Sequence, residues 1–540
     1  MKHFVFGIVL FGIALTSASC AKGEKPFPFV PITSEDEYVP REDEDPFPEY
    51  VAPVIDTSTF TLDNIPVNFT AINDFHGQVD EEASDNRVGL AKMSTYLKDR
   101  KSKGDILISS GDLYQGSFLS GIDYGQFISH ACKNIGFDAY TLGNHEFDWG
   151  INPLLNNELA TRQSFLGANI YNYPYDANNP VKSKYGEEYK IINLYEGTPY
   201  EVKVGIIGVI GKNQISSIKS VYTSDYVFVE PTNIVKNIAV KLKEEEKCDF
   251  VIASYHDDEP DRSIANKVSG KSYRYVDACF MAHTHKYQHF LYNDVPFIQA
   301  SAYSRGVALA NFSFNKNTKS ITLVDSKYQY LAKLSLSEDP IMKEKLDERR
   351  NKYSKEYNDI VGVNNAGELD VGKMSEFYAK IVYDENAIAY KKTLDINIVG
   401  CYFNESRRSL KAGSFTYVDL YATHPFMDKM YILSISGKDL LSRKKCSYGY
   451  LNPSATIISD ERYDVIAFDY NGLHISVNDK YEKYYNYFPS AFSEDAPHKP
   501  IEVDLIKKDY TCIDAALTYL EGHSIESDFF NQEGLFTKSA

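Results

Sequence analysis

Five short apolar runs each end in side chains that bind metals or move protons, and this repetition constrains the fold more than any other feature. Residues 67–72 run into Asn73, Asp74, Phe75, His76 and Gly77; residues 105–110 run into Gly111 and Asp112. Residues 138–142 run into the stretch GNHEFDWG, residues 143–150, which holds Asn144, His145 and Asp148. Residues 249–255 run into His256, Asp257 and Asp258, and residues 276–281 into Ala282, His283, Thr284 and His285. Apolar runs of this length read as buried strands. Helical patterns fall between several of them, at 90–101 and 234–247. The alternation predicts a layered α/β architecture, with polar residues at the strand ends, where open α/β sheets place their ligands.

Taken singly, each fragment has an ordinary structural reading. Asn144 and Asp148 suit a turn that caps backbone groups, and His283 and His285 suit one face of a strand end. Lone histidines such as His130 and His289 are ordinary structure. Taken together, Asp74, His76, Asp112, Asn144, His145, His256, His283 and His285 form a nitrogen and oxygen donor set without thiolate. Such a set suits Zn, Mn, Fe or Co rather than an iron–sulfur centre. Seven of these eight as ligands, one of them shared, fit two divalent ions, an arrangement that clamps the oxygens of an in-line phosphoryl displacement.

The order Asp-x-His, Gly-Asp, Gly-Asn-His-Glu, His, His-x-His resembles the calcineurin-like metallophosphoesterases. The stretches INDFHG, SSGDLYQGS, GFDAYTLGNHEFDWG and VDACFMAHTH narrow the resemblance to the 5'-nucleotidase and UDP-sugar hydrolase family, over residues 61 to 520. It implies that Asp74, His76 and His285 hold one metal, that Asn144, His256 and His283 hold the second, and that Asp112 bridges them. It also implies that His145 stabilises the phosphoryl transition state while Asp148 orients its ring, with hydrolysis by a metal-activated hydroxide. Ala282 stands where the family has Gly, and His256-Asp257-Asp258 where a His-x-Gly is usual; neither departure removes a ligand.

In the same family a C-terminal domain grips the nucleoside. The resemblance places Arg407 as a substrate-contacting arginine, Phe426 and Tyr470 as the two rings that stack a base, and Asn144 as a second link to substrate. Alternatively, Phe426 and Tyr470 are core aromatics, in a chain with 42 Tyr and 31 Phe. Departures accumulate here. Tyr402 to Ser406 replaces a Gly-rich turn, an upstream arginine pair has no counterpart near Glu368 to Lys373, and Asp428 stands where Asn is usual.

The remaining features bound the organisation. A net charge of -18 argues against nucleic acid polymers as partners; a small nucleotide is the implied ligand. The apolar run from Phe4 to Leu15, followed by Ser17, Ala18, Ser19 and Cys20, reads as an export signal, residues 1–20. It is similar to bacterial lipoprotein signals, although Ser17 and Ser19 also suit ordinary cleavage, so a lipid on Cys20 is the expected membrane link. A Pro- and acid-rich stretch, 21–60, reads as a disordered tether. A metallophosphoesterase domain is expected over 61–335, a charged linker helix over 336–360 and a substrate-binding α/β domain over 361–540. The six cysteines after Cys20 show no metal spacing. The expected function is metal-dependent hydrolysis of nucleotide phosphate esters. The alternatives are a UDP-sugar or nucleoside di- or triphosphate hydrolase, and a surface lipoprotein that binds nucleosides with vestigial activity.

Overall fold

The chain forms β1 (Ile65–Ile72), α1 (Gly89–Ser102), β2 (Ile106–Ser109), α2 (Gln126–Ile135) and β3 (Ala139–Tyr140). These are followed by β4 (Tyr189–Leu194), β5 (Val202–Ile210), α3 (Pro231–Glu244), β6 (Phe250–His256) and β7 (Ala278–Met281). Next come β8 (Tyr287–Tyr292), β9 (Val295–Ala300), β10 (Gly306–Asn315) and β11 (Ser320–Tyr330). The computed structural model describes residues 44–223, 225–426, 428–445, 447–468, 489–492, 496–507 and 510–537. All of them lie in one compact unit, Val39–Ala540. The expected signal, Cys20, most of the expected tether and Tyr470 lie outside the described residues.

Two sheets face each other. One has the order β11-β10-β1-β2-β3, the other β8-β9-β7-β6-β5-β4. Val67, Phe69, Ile106 and Ile108 from the first meet Val204, Ile206, Phe250, Ile252 and Phe280 from the second in a shared apolar layer. The outer face of the second sheet is covered by Val235, Ile238, Ala239 and Leu242 of α3. That helix begins at Pro231, three residues before the expected start, because proline at the first helical turn loses no hydrogen bond. The central strands β1, β2 and β3 are parallel, as are β5, β6 and β7. Parallel pairing puts their carboxyl ends at one edge of each sheet, and the polar strand ends of the sequence gather there.

The second half has its own cores. Helix α4 (Pro340–Lys352) is capped by Asp339 and buries only Met342 and Leu346; it stops at Tyr353, before the short helix Ser354–Asn358. Arg349 and Arg350 of α4 reach Asp123 and Asp80 at 2.6 and 2.7 Å, so the charged helix is fastened to the first half. Helix α5 (Val371–Leu394) is far longer than the expected 374–382. It packs on a six-stranded sheet that includes β12 (Ile398–Phe403), β13 (Met430–Ser436) and β14 (Tyr448–Leu451). Phe377, Tyr378, Ile381 and Val382 supply the apolar stripe.

The described part of the Pro-rich stretch is not a free tether. Asp45 pairs with Lys133, Phe47 is buried with its ring 5.5 Å from that of Phe127, and the Pro48 carbonyl accepts from Asn134. The proline and acid content suggested an unstructured chain, but α2 offers Phe127, Lys133 and Asn134 as complementary partners.

Candidate metal centre

The loops after β1, β2, β3 and β7 and the last residue of β6 bring Asp74, His76, Asp112, Asn144, His145, His256, His283 and His285 to one place. Donor atoms of Asp74, His76 and His285 lie within 4.8 Å of one another, as do those of Asp112, His256 and His283, and those of His76, Asp112 and His145. His76 belongs to the first and third of these sets and Asp112 to the second and third, so the three sets adjoin one another.

The backbone is bent to achieve this. Asp74, His76, Asp112, His283 and His285 have φ of 49°, 50°, 54°, 79° and 59°, a region that side chains other than glycine rarely occupy and that concentrates at functional sites. Gly143 is required by the close approach: a Cβ there would lie 2.3 Å from Asp112 Oδ1 and 2.6 Å from His256 Cε1.

Three of the five imidazoles are aimed from behind. His76 Nδ1 donates to the Gln115 carbonyl at 2.8 Å, His256 Nδ1 to the Ser110 carbonyl at 2.8 Å, and His145 Nδ1 to Asp148 Oδ2 at 2.6 Å. Their Nε2 atoms therefore point inward. His76 Nε2 meets His285 Nε2 at 3.0 Å; His256 Nε2 lies 3.3 Å from Asp112 Oδ2 and 3.2 Å from Asn144 Oδ1. Asn144 Oδ1 also faces His283 Nδ1 at 3.0 Å. Lone pairs facing lone pairs and carboxylates in a buried space demand protons or cations between them. The donor types and the outer hydrogen bonds fit divalent metals, because ligating histidines characteristically have their second nitrogen held in this way.

Electrostatics tell the same story. Burial, aided by Asp112, pushes the Asp74 carboxyl up to about 7 against the pull of His256. Burial also disfavours charge on His256, but Asp112 outweighs it and raises the imidazole to about 10. Burial brings His283 down to about 4 and, with Arg407, His285 down to about 3. Without cations the cluster is thus a frustrated set of buried acids and bases.

Glu146 was not singled out from the sequence, yet it builds the site. Its carboxylate accepts from the N–H groups of Asp112, Leu113 and Gly143 at 2.9, 2.7 and 2.6 Å, locking the β2 and β3 loops together. Its position beside His145 was the only signal. Ser110 and Gln115 contribute through backbone carbonyls, which no residue type announces.

Facing the cluster is a cavity of about 650 Å³. Arg407 places Nη2 3.1 Å from His76 Nε2, and its guanidinium lies 5.7 Å from the Phe426 ring centre. Phe426 in turn lies 6.1 Å from the His145 ring, nearly parallel to it. The sequence-derived pair Arg407 and Phe426 therefore reaches the metal side. Lys219 and Asp428 face the same cavity and pair at 2.9 Å, and Gln115 donates to the Pro425 carbonyl at 2.9 Å. Burial alone would raise the Asp428 carboxyl, but Lys219 and His424 hold it below the usual range.

This geometry belongs to a recognisable class: residues 67–287 match the family described as calcineurin-like phosphoesterase. Residues 67–287 of the chain thus carry a domain of that family, whose members use a dimetal centre. Within it, the likeness runs to the 5'-nucleotidases. The 5'-nucleotidase of Vibrio vulnificus is 22% identical over 453 residues, covering 71% of this chain and 74% of its own length. Endonuclease YhcR of Bacillus subtilis is 25% identical over 414 residues, covering 71% of this chain but only 33% of its own length. The chain thus spans a third of one relative and about three-quarters of the other. The solved 5'-nucleotidase precursor of Thermus thermophilus shares the fold, with a TM-score of 0.63 at 15% identity over 85% of this chain and 96% of that one. The family resemblance and the mixed α/β class read from the sequence are borne out. Among the described residues, no helix is long and apolar enough to cross a membrane.

Proposed function

We propose that this protein hydrolyses phosphate monoesters of nucleotides with two divalent metal ions, one held by Asp74, His76 and His285, the other by Asn144, His256 and His283, with Asp112 shared. The observation that carries the reading is that the two donor sets adjoin, linked through His76 and Asp112 in the third set. When bound, the ions would neutralise phosphoryl charge and make hydroxide available at neutral pH.

The chain's own residues do the rest. Asp148 fixes His145 Nδ1 and leaves its Nε2 4.0 Å from Asp112 Oδ2, where it can hydrogen-bond a phosphoryl oxygen as charge develops. Arg407 offers a second cationic donor at the cavity end of the cluster. Phe426 supplies a flat apolar face for a base. The names of the relatives support a nucleotide as the organic part. We assign residues 61–335 to catalysis, 336–360 to a linker and 361–540 to substrate binding, and place the protein outside the cytoplasm with a lipid on Cys20.

Phosphate release from AMP, UMP, UDP-glucose, cyclic AMP and p-nitrophenyl phosphate, with manganese and with EDTA, tests the reading. EDTA-sensitive release from mononucleotides is expected. Release that survives complete metal removal, or turnover of the aryl phosphate alone, overturns it. Detergent-phase partitioning of the wild type that persists in Cys20→Ser would reject the anchor.

A further inference from the structure

The walls of the cavity beyond the ligand cluster carry no excess of positive charge, although the pocket is read as holding an anion. Glu405 and Asp428 both line it, while the cationic side chains there are Lys219 and Arg407. Lys219 is committed: its Nζ meets Asp428 Oδ1 at 2.9 Å, with the two side chains 15% and 4% exposed. Releasing Lys219 would leave a buried carboxylate without its cation, a strongly unfavourable exchange. Glu405, held by the Tyr448 hydroxyl at 3.0 Å, adds a further negative charge on the same wall.

We infer that Asp428 is a specificity-determining residue that excludes a second phosphate group, restricting the site to monoesters whose organic part is uncharged. This rests on the reading of the cavity as a nucleotide site. In a nucleoside diphosphate the inner phosphate lies between the reacting phosphoryl group and the nucleoside, and so within this cavity rather than on the metals. There it meets the carboxylates of Asp428 and Glu405, and Asp428 has already neutralised the nearest amine. A monophosphate presents only sugar and base to that wall, and their hydroxyl and amino groups can donate to carboxylates.

Manganese-loaded full-length protein would be compared as wild type, Asp428→Asn and Glu405→Gln, measuring phosphate release from AMP and ADP and, by calorimetry, the binding of each. The wild type should favour AMP over ADP by about tenfold, the scale of one charge–charge interaction across a few ångströms in a high-dielectric setting. Asp428→Asn removes the ion pair to Lys219 and a negative charge together, so it should lower that ratio roughly tenfold. Glu405→Gln should shift the ratio the same way by less, and keeps the test alive if Asp428→Asn melts below the assay temperature. Wild-type protein that handles ADP as well as AMP, or a ratio unchanged in both variants, overturns the inference while leaving the nucleotidase reading intact. Binding that follows the expected ratios without any turnover sinks the hydrolase reading instead; no binding of either nucleotide overturns both.

Discussion

The two walls of the cavity are built on opposite plans. The metal side is held by backbone: parallel strand ends in left-handed conformation, imidazoles pinned by the Ser110 and Gln115 carbonyls, and Glu146 gripping three N–H groups. The opposite side is held by side chains from the segments around 403–407 and 424–428, through Lys219 with Asp428, Gln115 with Pro425, and Arg407 over Phe426. A backbone-built wall tolerates little change, because moving one ligand moves a strand end. A wall built from side chains can be re-aimed one residue at a time. The contrast explains how the donor set expected from the sequence gathers in one place while the opposite wall departs from the 5'-nucleotidase pattern at several positions.

The sharpest way to break this comparison is at Asp112, the proposed shared ligand. Asp112→Asn should lower phosphate release from every substrate by on the order of a thousandfold or more, the scale of losing a preorganised charge-stabilising group, while circular dichroism stays unchanged. Retained turnover would mean that the cluster is not the reaction centre. Next in size, Asp148→Asn should cost roughly 10- to 100-fold in kcat, as expected when an outer partner no longer orients its imidazole. An equal loss in KM alone would reassign Asp148 to binding.

A smaller effect should separate the walls. Phe426→Ala should raise KM for AMP about tenfold, equivalent to one aromatic stacking contact, and leave p-nitrophenyl phosphate turnover within about twofold. Equal losses on both substrates would show that Phe426 supports the metal side through His145 rather than serving the base. The smallest effect concerns stability. Burial raises the Glu158 carboxyl to about 7, even though its Oε1 accepts from the Phe165 N–H at 2.7 Å. A carboxyl raised above its unfolded value opposes folding once ionised, so stability should fall as pH rises from about 4.5 towards 7. Thermal melts of Glu158→Gln should show a shallower fall over that window, and identical slopes would remove Glu158 as the cause.

Much of the metal side was legible in the sequence because its logic is local. Each ligand follows an apolar run directly, as His256 ends β6 and Asp112 follows β2 after Ser110 and Gly111, and strand ends in a parallel sheet must meet. Short strands were harder: residues 138–142 form a regular strand only at Ala139–Tyr140, because Thr141 turns to an isolated bridge with Leu166. Helix α5 was under-read because Asp384, Glu385 and Asn386 interrupt the apolar stripe that identified residues 374–382.

The sequence by itself determined the donor set, the α/β layering and the family, since all three rest on residue types at fixed distances along one strand and its loop. Only the tertiary structure decided which nitrogens face inward, that Glu146 ties two loops together, that residues 45–48 dock on α2, and that Lys219 answers Asp428. These depend on backbone carbonyls or on partners far apart in the chain, such as Lys219 and Asp428. A carbonyl has no residue type, and a distant partner has no spacing, so neither leaves a mark in the order of residues.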